Sequence, residues 1–200
     1  RAAIEAEGIS IELLEEAEMR ATIPRRSAEA HKGDYGHLLV VAGSRGMGGA
    51  AMLSSLAGLR SGSGLVTLAW PAGLQASRGP GLMEIMTLPL LQNEMGRLHP
   101  GAAAQVLRFV HERHPTAVVI GPGLTVHADT TALCRALLEE IHCPCVLDAD
   151  ALNALSSAPE VIRGAAAPLV LTPHPGEMGR LLGCSTQEVQ DDRLAAAQKA

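Results

Sequence analysis

The chain is nearly without aromatic side chains: of 200 residues only Tyr35, Trp70 and Phe109 qualify. Proteins that hold single-stranded nucleic acid stack bases on such rings, and other nucleic-acid binders present a basic face. This chain has 16 Lys and Arg against 21 Asp and Glu, a formal net charge of −5, so no nucleic-acid partner is expected. Long apolar runs are also lacking. None approaches the roughly 20 residues of a membrane-spanning helix, and no secretory signal opens the chain. Cysteine is sparse, with Cys134, Cys143, Cys145 and Cys184. Cys143-Pro144-Cys145 lacks the two-residue gap of a zinc knuckle, so reduced core thiols and a cytoplasmic location are expected. The chain begins at Arg1 rather than Met, which suggests a longer parent polypeptide.

What is abundant is apolar residues, 47% of the chain, enough to build a core. They fall in short continuous runs at Leu38–Ala42, Leu65–Trp70, Ile85–Leu88, Ala117–Ile120, Cys145–Leu147 and Leu169–Leu171. Between them lie helix-like segments at Gly49–Arg60, Ala102–His111, Asp129–Ile141 and Asp150–Ser156. An acidic helix over residues 10 to 20, opened by Ser10, precedes them. A last helix, announced by the capping box Ser185-Thr186-Gln187-Glu188, runs to Ala200 without a stop signal. This alternation predicts a parallel sheet covered on both faces, an α/β fold. In such sheets ligands bind beyond the carboxyl ends of the strands.

Four of those ends carry special chemistry. After the first strand comes Gly43-Ser44-Arg45-Gly46-Met47-Gly48-Gly49-Ala50, whose glycines open a helix and leave amides free for an anion. Gly46, Gly48 and Ala51 match G-x-G-x-x-A. However, the next strand ends at Trp70-Pro71 with no acid to hold a ribose, as the dinucleotide fingerprint requires. Gly121-Pro122-Gly123-Leu124 is either a plain β-turn or a bare backbone for a flat ligand. Asp148-Ala149-Asp150-Ala151-Leu152-Asn153 places two carboxylates at a strand end, fit for Mg²⁺ or a ribose hydroxyl, with Asp150 as a helix cap the alternative. Asp148 should be partly buried and so need a partner. Thr172-Pro173-His174-Pro175-Gly176-Glu177 is a turn stiffened by two prolines, presenting an imidazole and a carboxylate near the start of a helix. Before the first strand, His31-Lys32-Gly33-Asp34-Tyr35-Gly36 is either a phosphate site through Lys32 or a polar turn. His99, His111, His114, His127 and His142 read as solvated.

Together these motifs resemble the ADP/ATP-dependent NAD(P)H-hydrate dehydratase family, of ribokinase-like fold. The H-K-G-x-Y-G stretch at His31–Gly36, the Val41–Ala51 turn, Arg60–Val66, Gly121–Leu124, Asp148–Asn153 and Thr172–Glu177 follow in family order. The resemblance implies a lyase of nucleotide repair. A nucleoside di- or triphosphate phosphorylates the 6-hydroxyl of hydrated NADH or NADPH, and elimination of phosphate restores the dihydronicotinamide. It implies a three-layer fold with a mostly parallel central sheet, whose C-terminal part lies outside this chain. It divides the chain into a lead-in helix and linker over residues 1–30 and a substrate-side portion over residues 31–200. Ala50, Gly123 and His174 would contact the substrate, with Asp150, Gly49, Gly121 and Asn153 lining the same cleft. Glu177, in a pattern like the N-x-x-E of ribokinase-like kinases, would serve Mg²⁺. ADP or ATP would be the co-substrate, a homo-oligomer the assembly, and an NAD(P)H-hydrate epimerase domain a fused or paired partner. The family's G-S-G-D motif, with its catalytic Asp, has no match here and is expected beyond Ala200. An alcohol kinase such as hydroxyethylthiazole kinase, or a non-catalytic nucleotide-binding module, stands as the alternative.

Overall fold

The computed structural model describes residues 13–23, 25–77, 79 and 83–200. The chain divides into two compact units, Arg1–Ala30 and His31–Ala200. The first contains helix α1 (Glu16–Thr22), with no buried residue, a capping box between Glu15 and Glu18, and an Arg20–Glu16 ion pair. Ser10, expected to open this helix, lies outside the described residues.

The second unit is built on six strands: β1 (His37–Val41), β2 (Leu65–Pro71), β3 (Met86–Leu90), β4 (Ala117–Ile120), β5 (Cys145–Leu147) and β6 (Leu169–Leu171). They form one sheet in the order β3-β2-β1-β4-β5-β6, and every pairing is parallel. Because the strands are apolar at successive positions, the inner strands β2 and β1 bury residues on both faces. Val40, Ala42, Leu68 and Trp70 pack under helix α2 (Gly48–Arg60). Leu39, Val41, Ile120 and Leu147 face the other way. There they meet α3 (Ala102–Arg113), α4 (Ala128–Glu140), α5 (Asp150–Leu155) and α6 (Pro159–Arg163). The chain closes with α7 (Pro175–Leu182), α8 (Thr186–Asp191) and α9 (Arg193–Lys199). The three-layer α/β expectation is met, with a sheet that is wholly parallel among the described residues.

One expectation is corrected, and one open alternative is placed in the fold. The helix after Ser185 is not continuous to Ala200. Asp192 leaves helical geometry (φ −145°, ψ 86°) and caps a new helix by accepting from the Ala195 amide at 2.9 Å, as Asp commonly does. Lys32 lies in a 3₁₀ turn, Lys32–Tyr35, directly before β1. It thus stands at the amino edge of the sheet, away from the strand ends where ligands bind, and the polar-turn reading holds. All four cysteines are free thiols, and burial pushes the Cys134 and Cys145 pKa values up to about 12, so both are inert packing residues.

His37, which the sequence reading passed over, begins β1 with its Nε2 2.8 Å from Thr67 Oγ1 and the Phe109 ring edge-on at 5.7 Å. Burial, then the Arg113 charge, lowers its pKa. The unfolded chain therefore takes up this proton first, at about pH 6.5. The His37 contribution is whole above that value and is lost as pH falls toward the lowered folded pKa. Between pH 7.5 and 5 the urea midpoint of the wild type should fall further than that of His37→Gln. Parallel pH profiles would exclude this role.

Candidate active site

The strand order sets the site. β1 and β4 are neighbours, and the chain leaves them for helices on opposite faces, which opens a crevice at their carboxyl ends. The two exits are stitched together. The Gly43 amide donates to Pro122 O at 2.9 Å, and the buried Ser44 hydroxyl donates to Gly123 O at 2.8 Å. Gly123 has φ +68°, and a Cβ there would lie 2.8 Å from Met47 O and 3.3 Å from the Ala50 Cβ. Only glycine lets this loop press against the first turn of α2, where Gly49 and Ala50 stand.

Strand β5 ends on the same side. Asp148 is partly buried, and its Oδ1 accepts from the Thr172 hydroxyl at 2.7 Å, which is the partner its burial demands. Ala149 follows at φ 48° and ψ −113°, a conformation that costs a non-glycine residue of order 1–3 kcal/mol. Asp150 does not cap its own helix. It occupies the first helical position, and its Oδ2 accepts from the Thr125 amide at 2.9 Å. Thr125 is itself left-handed (φ 65°), with its carbonyl taking the Thr130 hydroxyl at 2.7 Å. Two strained residues, on loops from adjacent strands, are thus coupled through Asp150.

Strand β6 supplies His174 as the N-cap of α7. Its Nδ1 accepts from the Gly176 amide at 3.0 Å, so the ring proton sits on Nε2, 3.2 Å from Glu177 Oε1. The other Glu177 oxygen accepts from the His174 amide at 3.0 Å, and Glu177 is buried. The Asn153 carbonyl oxygen accepts from Arg180 at 2.7 Å, fastening α5 to α7. A cavity of about 470 Å³ adjoins His174, lined by Thr172, Met178, Val189 and Arg193 among others. A groove of about 440 Å³ at His111, His114 and His142 is separate from these strand ends. Among the described residues no three His, Cys, Asp or Glu gather to hold a metal ion.

All the expected site residues, Gly49, Ala50, Gly121, Gly123, Asp150, Asn153, His174 and Glu177, therefore follow carboxyl strand ends on one edge of the sheet. Within that edge Asn153 is engaged by Arg180 and Glu177 by His174. Thr125, Ala149, Thr172 and Arg180, which position these groups, were not foreseen. Thr172 alone carried a signal, as a hydroxyl at the strand end next to the one bearing Asp148.

Comparison with known proteins agrees with this geometry. The family model described as NAD(P)H-hydrate dehydratase matches residues 38–200. The bifunctional NAD(P)H-hydrate repair enzyme of Moorella thermoacetica is 45% identical over 94% of this chain, which spans 35% of that protein. The ADP-dependent (S)-NAD(P)H-hydrate dehydratase of Bacillus subtilis is 35% identical over 92% of this chain, which spans 60% of it. A crystal structure of the Bacillus subtilis ADP/ATP-dependent NAD(P)H-hydrate dehydratase, co-crystallised with ATP and Mg²⁺, superposes with a TM-score of 0.77 at 32% identity. That match covers 96% of this chain and 63% of the other. The chain thus spans about a third to under two thirds of the length of these relatives.

Proposed function

The chain belongs to the NAD(P)H-hydrate dehydratase family, and on that premise we propose that residues 31–200 form the substrate-side portion of an ADP- or ATP-dependent NAD(P)H-hydrate dehydratase. The observation that carries this reading is the pressing of Gly123 against Ala50 at the β1–β4 switch point, with Asp150 and His174 following the next two strands.

The chemistry starts from a poor leaving group, since hydroxide derives from water of pKa about 15.7. The 6-hydroxyl gives its proton to a base and its oxygen attacks the terminal phosphorus of the nucleotide, releasing the shortened nucleotide. The ring nitrogen lone pair then expels phosphate from C6. Loss of a C5 proton restores the C5–C6 double bond and with it NAD(P)H. In this reading the Gly121–Gly123 backbone and the Gly49–Ala50 turn form a surface for the flat nicotinamide, and Asp150 fixes the Thr125 loop beside it. His174 stands at the same edge, and Asn153 keeps α5 and α7 together through Arg180.

Mg²⁺ is the ion named with the Bacillus subtilis structure. Glu177 is ill-suited to hold it directly, because its carboxylate is buried and both oxygens serve His174. The relatives named bifunctional support an epimerase domain in the parent polypeptide. Among the described residues no helix is long and apolar enough to cross a membrane.

His174 supplies the test. His174→Ala should weaken binding of hydrated NADH about two- to tenfold, the net worth of one ordinary hydrogen bond. Folding stability should fall by only about 1 kcal/mol for the lost cap. His174→Asn restores a capping acceptor and should recover the stability, which separates the two roles. Equal affinity in all three proteins would remove His174 from the substrate site.

A further inference from the structure

A second cleft opens at the same edge, on the β2–β3 side of the switch point. It has a volume of about 270 Å³ and is lined by Arg45, Leu74, Ser77 and Gln92 with Gly73 and Gly96. No carboxylate lines it. The segment after β3 folds back to form its wall. Arg45 donates its amide to Gly96 O at 2.9 Å, and Asn93 closes the turn by accepting from the Met95 and Arg97 amides, each at 3.1 Å. Gly96 has φ +73°, and a Cβ there would stand 2.7 Å from the Arg45 Cβ and 2.9 Å from its Nε. The glycine is thus what lets the arginine side chain lie in the cleft. Gln92 is oriented too, with its Oε1 accepting from the Gly73 amide at 2.7 Å and its Nε2 left as a donor. Among the described residues the Arg45 guanidinium makes no ion pair or side-chain hydrogen bond. Arg45 also lies three residues before the first turn of α2, where the N-cap residue Met47 contributes no side-chain acceptor.

We propose that this cleft binds a phosphate group of the dinucleotide substrate, with Arg45 as the residue that holds it and Ser77 and Gln92 as supporting donors. The inference rests on the dehydratase reading of the neighbouring site. A planar guanidinium with neutral donors beside it is the arrangement that favours phosphate over a carbonyl or hydroxyl ligand. Distance agrees. With parallel strands roughly 4.8 Å apart, the β2 and β3 ends lie about 10–15 Å from the β4 end that bears Gly123, the span of a ribose and diphosphate extending from a nicotinamide ring. Two phosphates of the substrate share this chemistry, the diphosphate bridge and the 2′-phosphate of NADPH hydrate.

The test measures equilibrium binding to the wild type, Arg45→Gln and Arg45→Lys, so that catalytic competence is not needed. The probes are hydrated NADH, hydrated NADPH, hydrated dihydronicotinamide riboside and ADP. Arg45→Gln should weaken hydrated dinucleotide about tenfold, Arg45→Lys should recover part of it, and the phosphate-free riboside should bind all three proteins alike. Loss for both dinucleotides assigns the cleft to the diphosphate; loss for NADPH hydrate alone assigns it to the 2′-phosphate. Unchanged dinucleotide binding in Arg45→Gln, or a loss confined to ADP, would overturn the proposal while leaving the dehydratase reading in place. A wild type that binds no hydrated dinucleotide would overturn both.

Discussion

Gly121→Ala should leave little folded protein. A Cβ at this position would run into the Asp148 carbonyl oxygen and stand 2.9 Å from the Ala151 Cβ, at a φ of +131° that L residues rarely adopt. The backbone has no room to retreat. The Gly121 amide donates to Val41 O at 3.2 Å, and the Asp148 amide donates to Ile120 O at 3.1 Å. Relief would require parting β4 from β1 or from β5 at the centre of the sheet. The expected loss exceeds about 4 kcal/mol, the range reached by strain and overpacking in a core. That is a large share of the roughly 5–15 kcal/mol a domain has. Gly49→Ala is the matched control. Its new Cβ meets nothing within 4 Å, it lies in a helix where alanine is preferred, and its stability should change by no more than about 1 kcal/mol. Urea denaturation followed by circular dichroism decides. Equal midpoints for the two variants would mean that the close approach of β4 and β5 is not required.

The same contrast separates the glycines of the Gly43–Ala50 segment. At Gly49 a side chain would meet open space, and at Gly48 only the Leu74 side chain, at 3.8 Å. The tight positions are Gly43 and Gly123, where the β1 and β4 exits bond to one another.

The strands were legible because each is a short unbroken apolar run between turn-forming residues, and the observed limits fall within two residues of those read. The largest shift is instructive. The third apolar run was read as Ile85–Leu88, ending before Pro89, yet β3 runs through Pro89 to Leu90. β3 is an edge strand, where a missing amide costs no ladder bond, and edge position is a property of the assembled sheet. The site was legible for a related reason. Glycine, proline and paired acids at strand ends mark backbone that must turn sharply, and parallel pairing then brings all such ends to one side. What could not be read is how they are coupled. Nothing about a threonine or an alanine announces a left-handed conformation; Thr125 and Ala149 are held there by partners distant in sequence, with Asp150 taking the Thr125 amide. Nor did His174-Pro175-Gly176-Glu177 announce a capping box, because histidine is an uncommon N-cap, whereas the same bond pattern at Ser185 was evident.

These couplings lead to the other large effect, on turnover. The polypeptide Arg1–Ala200, incubated with hydrated NADH, Mg²⁺ and ADP or ATP, should regenerate NADH no faster than a protein-free control. Phosphorylation of the 6-hydroxyl needs a base within hydrogen-bond reach, worth about 10²–10⁴-fold. It also needs donors for the charge on the transferring phosphoryl group, a term often larger still. Three carboxylates directly follow the carboxyl ends of β5 and β6, and each is engaged. Asp148 takes the Thr172 hydroxyl, Asp150 holds the Thr125 amide, and Glu177 is buried with both oxygens on His174. Freeing Asp150 would release a strained loop, and freeing Glu177 would uncap α7, so neither is poised to take a proton. The relatives are longer than this chain, which spans 60% of the Bacillus subtilis dehydratase, and we propose that the base lies in the part of the protein corresponding to the remainder. Substrate binding should survive in the 200-residue polypeptide, because the Gly123–Ala50 contact and His174 are already in place. Binding without turnover is therefore the expected pair of results. Regeneration of NADH at an enzymatic rate, followed by absorbance, would show that a carboxylate within residues 1–200 acts as the base.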